Sequence, residues 1–201
     1  MDVAFSKPEF WESRYQDNTA RWDIGQPALA FVNLLESGDR PSPGRLAALG
    51  VGRGHDALWF AEHGFDVVGV DFAPSAIAES QAAAAQRNAA ADFLQADIFD
   101  LPDALTHQFD YVLEHTCFCA IDPSRRSDYV DVVRRLLKPT GEFIGLFWAH
   151  SRPGGPPFGS SPQEIRSLFS SHFDVRSLTP VAKSVPKRQN EEYLARFPVQ
   201  T

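Results

Sequence analysis

The stretch that most constrains this 201-residue chain is "LGVGRGHDALWFAEHGFDVVGVD", Leu49 to Asp71. An apolar run, Leu46–Leu49, leads into glycines at alternate positions, Gly50, Gly52 and Gly54. A helical pattern over Asp56–His63 ends near Gly64, and a second continuous apolar run, Val67–Val70, closes on Asp71. Strands that are apolar on consecutive residues are covered on both faces, and a helix between them returns the chain for parallel pairing.

The alternation continues. It predicts a helix over Pro74–Asn88, a short strand at Phe93–Leu94 and a strand over Phe109–Leu113. Asp122-Pro123 opens a helix in which Tyr129, Val132, Val133, Leu136 and Leu137 recur at helical spacing up to Pro139. Phe143–Trp148 is strand-like, Ser161-Pro162-Gln163-Glu164 is a capping box, and Phe173–Leu178 follows as a strand. Before the alternation, residues 6–40 predict helices and turns, entered through Ser6-Lys7-Pro8-Glu9 as a capping box. The expected fold is one α/β domain, a doubly wound, mostly parallel Rossmann-like sheet with helices on both faces. Residues 1–40 form its N-terminal helical lid and 41–201 its core.

Composition removes several classes of partner. A formal net charge of −7 argues against nucleic acid or an anionic membrane, which reward clustered Lys and Arg. No stretch approaches the roughly 20 apolar residues of a membrane span. Two cysteines, Cys117 and Cys119, cannot make a disulfide framework and suit a reducing, cytoplasmic setting. Their spacing is unlike C-x-x-C, and a buried, inert role is expected for at least one. "KSVPKRQ", Lys183 to Gln189, is expected to be a solvated turn. A monomer without bound metal is expected.

The glycine spacing restricts the ligand. A dinucleotide fingerprint, G-x-G-x-x-G, would place its third glycine at position 55, which is His55. Asp56 beside the helix terminus would repel a pyrophosphate, and no Gly-Lys-Ser/Thr follows for a Walker loop. Both NAD and ATP are thereby disfavoured. Asp71 ends the second strand where a carboxylate can accept from both hydroxyls of a ribose. Asp97, followed by Ile98, comes after the third strand, and Glu114 ends the fourth. A glycine loop with acids at successive strand ends suits a cationic, phosphate-free nucleoside. S-adenosylmethionine meets that description.

With these residues in place, the sequence resembles the thiopurine methyltransferase-like class I methyltransferases, especially their halide and thiol methyltransferase branch. The resemblance covers roughly Phe10 to Leu178. It rests on "FWESRYQDNTARWDIGQPALA", "LGVGRGHDALWFA", "VVGVDFAPSAI", "FDYVLEHTCFCAID", "RRLLKPTGEFIGLFW" and "GGPPFGSSPQEI". It implies S-adenosyl-L-methionine as cofactor, held by Gly50, Gly52, Gly54, Asp71, Asp97, Ile98 and Glu114. It also implies that Trp11, Tyr15 and Trp22 close over that cofactor. Aromatic faces attract a sulfonium and keep water from the methyl group. Tyr15 stands where the halide and thiol branch usually has tryptophan, and Leu49 and Val51 depart from its frequent Pro-Gly-Cys-Gly loop.

The acceptor side is expected from His115, Phe118 and Phe158. His115 replaces the tyrosine of the plant enzymes and the arginine of the thiopurine enzymes, which weakens the case for a carboxylated aromatic thiol. The expected reaction is methyl transfer to a small soft nucleophile, foremost a thiol. A halide or metalloid acceptor, or a cofactor-binding protein without turnover, is the alternative. A thiol must react as its thiolate, so His115 is the expected general base, with Asp23 second.

Overall fold

The structure, a computed structural model, describes residues 4–200. Its strands are β1 (Arg45–Leu49), β2 (Asp66–Asp71), β3 (Ala91–Gln95), β4 (Phe109–His115), β5 (Leu137–Trp148), β6 (Ser177–Pro180) and β7 (Glu192–Pro198). Among the described residues they form one seven-stranded sheet in the order β3-β2-β1-β4-β5-β7-β6. The helices are α1 (Pro8–Gln16), α2 (Leu29–Glu36), α3 (His55–Glu62), α4 (Pro74–Arg87), α5 (Arg126–Leu136) and α6 (Pro162–Phe169).

The sheet is parallel from β3 to β5, with Leu49 of β1 opposite Val70 of β2 on one side and Glu114 of β4 on the other. Chain order reverses between β1 and β4, so a crevice opens beyond their carboxyl ends. Each face of the sheet carries its own core. One side buries Phe143, Phe147, Phe169, Phe173 and Phe197 against α5 and α6. The other buries Phe31, Phe60 and Phe65 against α2 and α3.

Several boundaries differ from the sequence reading. Ser6 does not cap α1: it lies in a short 3₁₀ turn, and Lys7 occupies the cap without a side-chain hydrogen bond. Asp122 caps a 3₁₀ turn instead, accepting from Ser124 N, and α5 starts only at Arg126. Helix α5 stops at Leu136, and Leu137, Pro139 and Gly141 already belong to β5. Of Phe173–Leu178, only the end joins β6. Arg176 N donates to Asp174 Oδ1, and this local turn breaks the run.

Strand β7 was not expected. It runs against both β5 and β6, and Glu192 and Arg196 interrupt its apolar pattern. Arg196 pairs with Glu142 of β5, which accommodates a charge inside the sheet. The lid limits also change. In α2, Phe31, Leu34 and Leu35 pack into the second core, so this helix covers the sheet. The residues over the crevice end near Trp22.

Candidate active site

The turn after β1 is held from within. Gly50 has φ +61, and a Cβ there would fall 2.8 Å from Cys117 Cβ and Sγ. Glycine thus supplies both the conformation and the close approach of two loops. Gly52 N donates to Asp71 Oδ2 at 2.9 Å, and Ala73 N donates to Oδ1 at 2.9 Å. Gly54 has another task. It precedes α3 at φ +80, and a Cβ there would meet Ser80 at 3.0 Å, so it packs α3 against α4.

Asp71 is only 7% exposed and still lines the crevice. Burial pushes its carboxyl above the usual range, against the pull of backbone N–H groups from Ala73, Gly52 and Phe72. Gly52 N and Ala73 N each donate to one oxygen at 2.9 Å, and Phe72 N is a third donor. The two oxygens together have about four acceptor sites, which leaves room for a further donor. Asp97, Ile98, Phe99, Ile121 and Arg125 form the far wall. There Asp97 accepts from Phe99 N at 2.9 Å, and Arg125 stacks 3.6 Å from the Phe99 ring centre.

The N-terminal segment closes the near side with aromatic rings. Trp11 and Trp22 meet edge-on at 5.2 Å, and Tyr15 and Trp22 at 5.6 Å. The indole N–H of Trp11 donates to Phe5 O at 2.8 Å, and that of Trp22 to Tyr15 Oη at 3.3 Å. Glu12 fastens α1 to the start of α4, accepting from Ser75 N at 2.9 Å and Ser75 Oγ at 2.6 Å.

A second chamber, of about 770 Å³, shares Trp11, Trp22, Thr116 and Ala120 with the first. Its other walls include Phe10, Trp148, Pro156 and Pro157, and its charged residues are the cations Arg14, Arg21 and Lys187 and the carboxylate Asp17. Thr116 borders both chambers at φ +63, a strained conformation for a β-branched residue. The sequence reading missed it, because positive φ leaves no mark on a threonine.

Of the expected site residues, Gly52, Gly54, Asp23, Glu114, Phe118, Phe158 and His115 are outside the linings of both chambers. Glu114 is 1% exposed, and both oxygens accept from Phe118 N at 3.1 Å while Tyr129 Oη donates to one at 3.0 Å. Burial pushes its carboxyl up to about 7. It holds the loop after β4 instead of lining the crevice. Phe118 is core, packed edge-on with Phe147 at 5.1 Å and Tyr129 at 5.9 Å. Phe158 stands behind the wall, edge-on to Phe5 at 5.1 Å.

His115 lines a smaller cleft beside the crevice, with Gly50, Gly52, Asp56 and Thr116. Its Nδ1 lies 2.6 Å from Asp56 Oδ2, and its Nε2 lies 2.9 Å from Arg188 Nη1. A guanidinium only donates, so Nε2 accepts and the ring hydrogen sits on Nδ1, facing Asp56. Both nitrogens are engaged by neighbouring side chains. Among the described residues no histidine lines either chamber, while His55 joins His115 in the smaller cleft, which adjoins the crevice at Tyr15, Trp22, Gly50 and Thr116.

Asp23 fails as a base too. Burial opposes its charge, but His55, Arg53 and Gly25 N outweigh that and hold it well below the usual carboxylate range. Arg53 Nη1 is 2.6 Å away, Gly25 N donates at 2.7 Å, and His55 Nε2 is close at 3.1 Å but poorly aligned. Arg188, expected in a solvated turn, is 3% exposed, whereas its neighbours Lys183 and Lys187 face water. Cys119 is buried as expected, its thiol pushed up to about 12 by burial. Cys117 borders the crevice, and burial raises its thiol as well.

The family model for thiopurine S-methyltransferase matches residues 6–198. The chain belongs to the thiopurine S-methyltransferase family. Within reach of this family lies the probable thiol methyltransferase 2 of Arabidopsis thaliana. It is 32% identical over 191 residues, covering 93% of this chain and 83% of the relative. Thiocyanate methyltransferase 1 of the same plant is 30% identical over 193 residues, with the same coverage of 93% and 83%. The fold matches Burkholderia thailandensis 1,6-didemethyltoxoflavin-N1-methyltransferase, solved with S-adenosylhomocysteine, at a TM-score of 0.76 and 23% identity. That superposition covers 96% of this chain and 87% of the other.

The methyl donor of this thiopurine S-methyltransferase family member is S-adenosyl-L-methionine. The crevice fits it on independent grounds. A buried carboxylate with spare acceptor capacity lies beside a glycine that leaves no room for a side chain, under a cover of aromatic rings. Among the described residues no cluster of His, Cys, Asp and Glu suits a metal. No helix of the described residues is long and apolar enough to cross a membrane.

Proposed function

We propose that the chain methylates the sulfur of a thiol, and that it does so by alignment and water exclusion without a protein base. The observation that carries this reading is the pair of chambers meeting at Trp11, Trp22, Thr116 and Ala120, with no histidine on either wall among the described residues. Bound S-adenosylmethionine supplies an electrophilic methyl group on a sulfonium. Asp71 accepts from the ribose hydroxyls, and Asp97 and Ile98 border the adenine. Gly50 lets the backbone lie against the ligand. Trp11, Tyr15 and Trp22 present aromatic faces to the cation and shut out water.

The second chamber positions the acceptor. Displacement at a methyl is in line, so Trp11, Trp22 and Thr116 must hold the acceptor's sulfur opposite the departing atom. Arg21 and Lys187 raise the local potential and favour the thiolate over the thiol. Acidic thiols supply that thiolate near neutral pH with little help. A space of about 770 Å³ is in the range of organic ligand pockets. A halide or thiocyanate would leave most of it unfilled. The cations Arg14, Arg21 and Lys187 offset the missing arginine after β4 and suit an acceptor with an anionic substituent.

Turnover with a panel of aromatic thiols, aliphatic thiols, thiocyanate and iodide tests the reading, with S-methyl product and S-adenosylhomocysteine followed together. Equimolar appearance of both, fastest with acidic aromatic thiols, is expected. A folded protein that binds S-adenosylhomocysteine and methylates none of the thiols would refute it.

A further inference from the structure

Arg188 is buried to 3% exposure, next to Lys187 of the second chamber. Taking a guanidinium out of water is costly unless its donors are matched, and here they are matched to unusual partners. Its Nη2 donates to the carbonyl of Trp22 at 2.7 Å, across 166 positions of sequence. Its Nη1 serves His115 Nε2 at 2.9 Å and reaches Glu192 Oε1 at 3.4 Å. The guanidinium also lies 5.1 Å from the ring centre of Trp148. Trp22 borders both chambers, Trp148 borders the second, and His115 precedes the strained Thr116.

The loop is built to present this side chain. Pro186 opens a 3₁₀ turn that ends at Arg188. Ser184 Oγ donates to Glu192 Oε2 at 2.5 Å, and Gln189 Nε2 donates to Ala182 O at 3.0 Å. Glu192 pairs with Trp148 in the β5–β7 register, which explains why the guanidinium arrives over that indole. Trp22 itself lies outside regular structure. Its neighbour Asp23 is gripped by Arg53 from the glycine turn, so the Trp22–Asp23 peptide is clamped from both sides. His115 takes its place in the same line, since Asp56 also accepts from Ala28 N at 2.7 Å.

We infer that Arg188 is a positioning residue for methyl transfer: by holding the Trp22 carbonyl and His115 from a distant loop, it sets the Trp22 indole across the wall shared by the two chambers. It acts through Trp22 and touches no reacting atom. A planar fork can reach two acceptors at fixed separation, and a lysine ammonium cannot reproduce that geometry.

The test is a double-mutant cycle read by titration with S-adenosylhomocysteine, with no acceptor present, so its outcome is independent of which nucleophile is methylated. Arg188→Lys keeps a cation beside Glu192 and preserves folding; Arg188→Met removes both the charge and the fork. In the wild-type background Arg188→Lys should weaken binding about tenfold, within the coupling range of contacting residues. In a Trp22→Ala background the same change should have no further effect, because there is no indole left to place. In turnover, Arg188→Lys should raise the KM for cofactor more than it lowers kcat. Equal losses in both backgrounds, or a lower melting temperature with unchanged affinity, would overturn the inference. An unfolded Arg188→Met protein leaves the lysine cycle to decide.

Discussion

Asp71 ends β2 and Glu114 is the last residue but one of β4, the strands on either side of β1, and both are buried, yet they do opposite things. Asp71 takes N–H groups from its own loop, Phe72 and Ala73, and one from the glycine turn, and it remains on the crevice wall. Glu114 is one methylene longer and folds back onto its own loop, where Phe118 N and Tyr129 Oη consume its oxygens. An acid at the end of a parallel strand is therefore not enough to make a ligand contact. What decides is where its acceptor capacity goes.

The largest effect expected from this contrast is at Asp71. Asp71→Ala should weaken S-adenosylhomocysteine binding by about 2–4 kcal/mol, the loss expected for charge-assisted hydrogen bonds, in a protein that still folds. Unchanged affinity in calorimetry would remove Asp71 from the site.

Glu114 should answer in stability instead. Its carboxyl stands near 7 in the folded protein against an ordinary glutamate value of 4.5. The folded state holds that proton more tightly, so the contribution is full below about 4.5 and is lost as pH rises through 7. The loss amounts to at most about 3 kcal/mol. Glu114→Gln should flatten the dependence of melting temperature on pH across this window while leaving cofactor affinity near wild type. A tenfold or greater loss of affinity with unchanged stability would mean that Glu114 does face the ligand.

The aromatic cover comes next in size. Trp11→Ala should weaken cofactor binding by about 0.5–2 kcal/mol, the range for a cation against an aromatic face, and raise its Michaelis constant. Equal loss of thermal stability with and without cofactor, at wild-type affinity, would make Trp11 merely a packing residue.

The same contrast explains which parts of the molecule were legible from sequence. The cofactor side is local: Gly50, Gly52 and Asp71 lie within 22 residues of one another, and glycine spacing and strand-end position carry the information. Strands β1, β2, the middle of β4 and the second half of β5 were legible because strands buried on both faces are apolar on consecutive residues. The edge strand β3 showed only Phe93 and Leu94. Strand β7 was not legible, because Glu192 and Arg196 break its apolar run and Arg196 meets Glu142 only once β5 lies beside it. The acceptor side is assembled from distant pieces. Arg188 reads as part of a basic run until Trp22, His115 and Glu192 are seen around it. His115 has the chemistry of a base in the sequence, and only the structure shows both nitrogens engaged.

His115 is accordingly where the smallest effect is expected. His115→Gln should slow methyl transfer to thiols and to iodide by the same small factor, because it disturbs Arg188 and moves no proton. A general base would instead cost about 10²–10⁴-fold with aliphatic thiols and spare iodide.

The most direct test of the account is the pH dependence of kcat/KM with two thiols of different acidity. If the protein aligns a thiolate and provides no base, each rising limb follows the ionisation of its own thiol. The two curves are then displaced by the difference between the thiols, and His115→Gln retraces both. Two thiols sharing one midpoint, absent from the His115→Gln protein, would show that a group of the enzyme takes the proton.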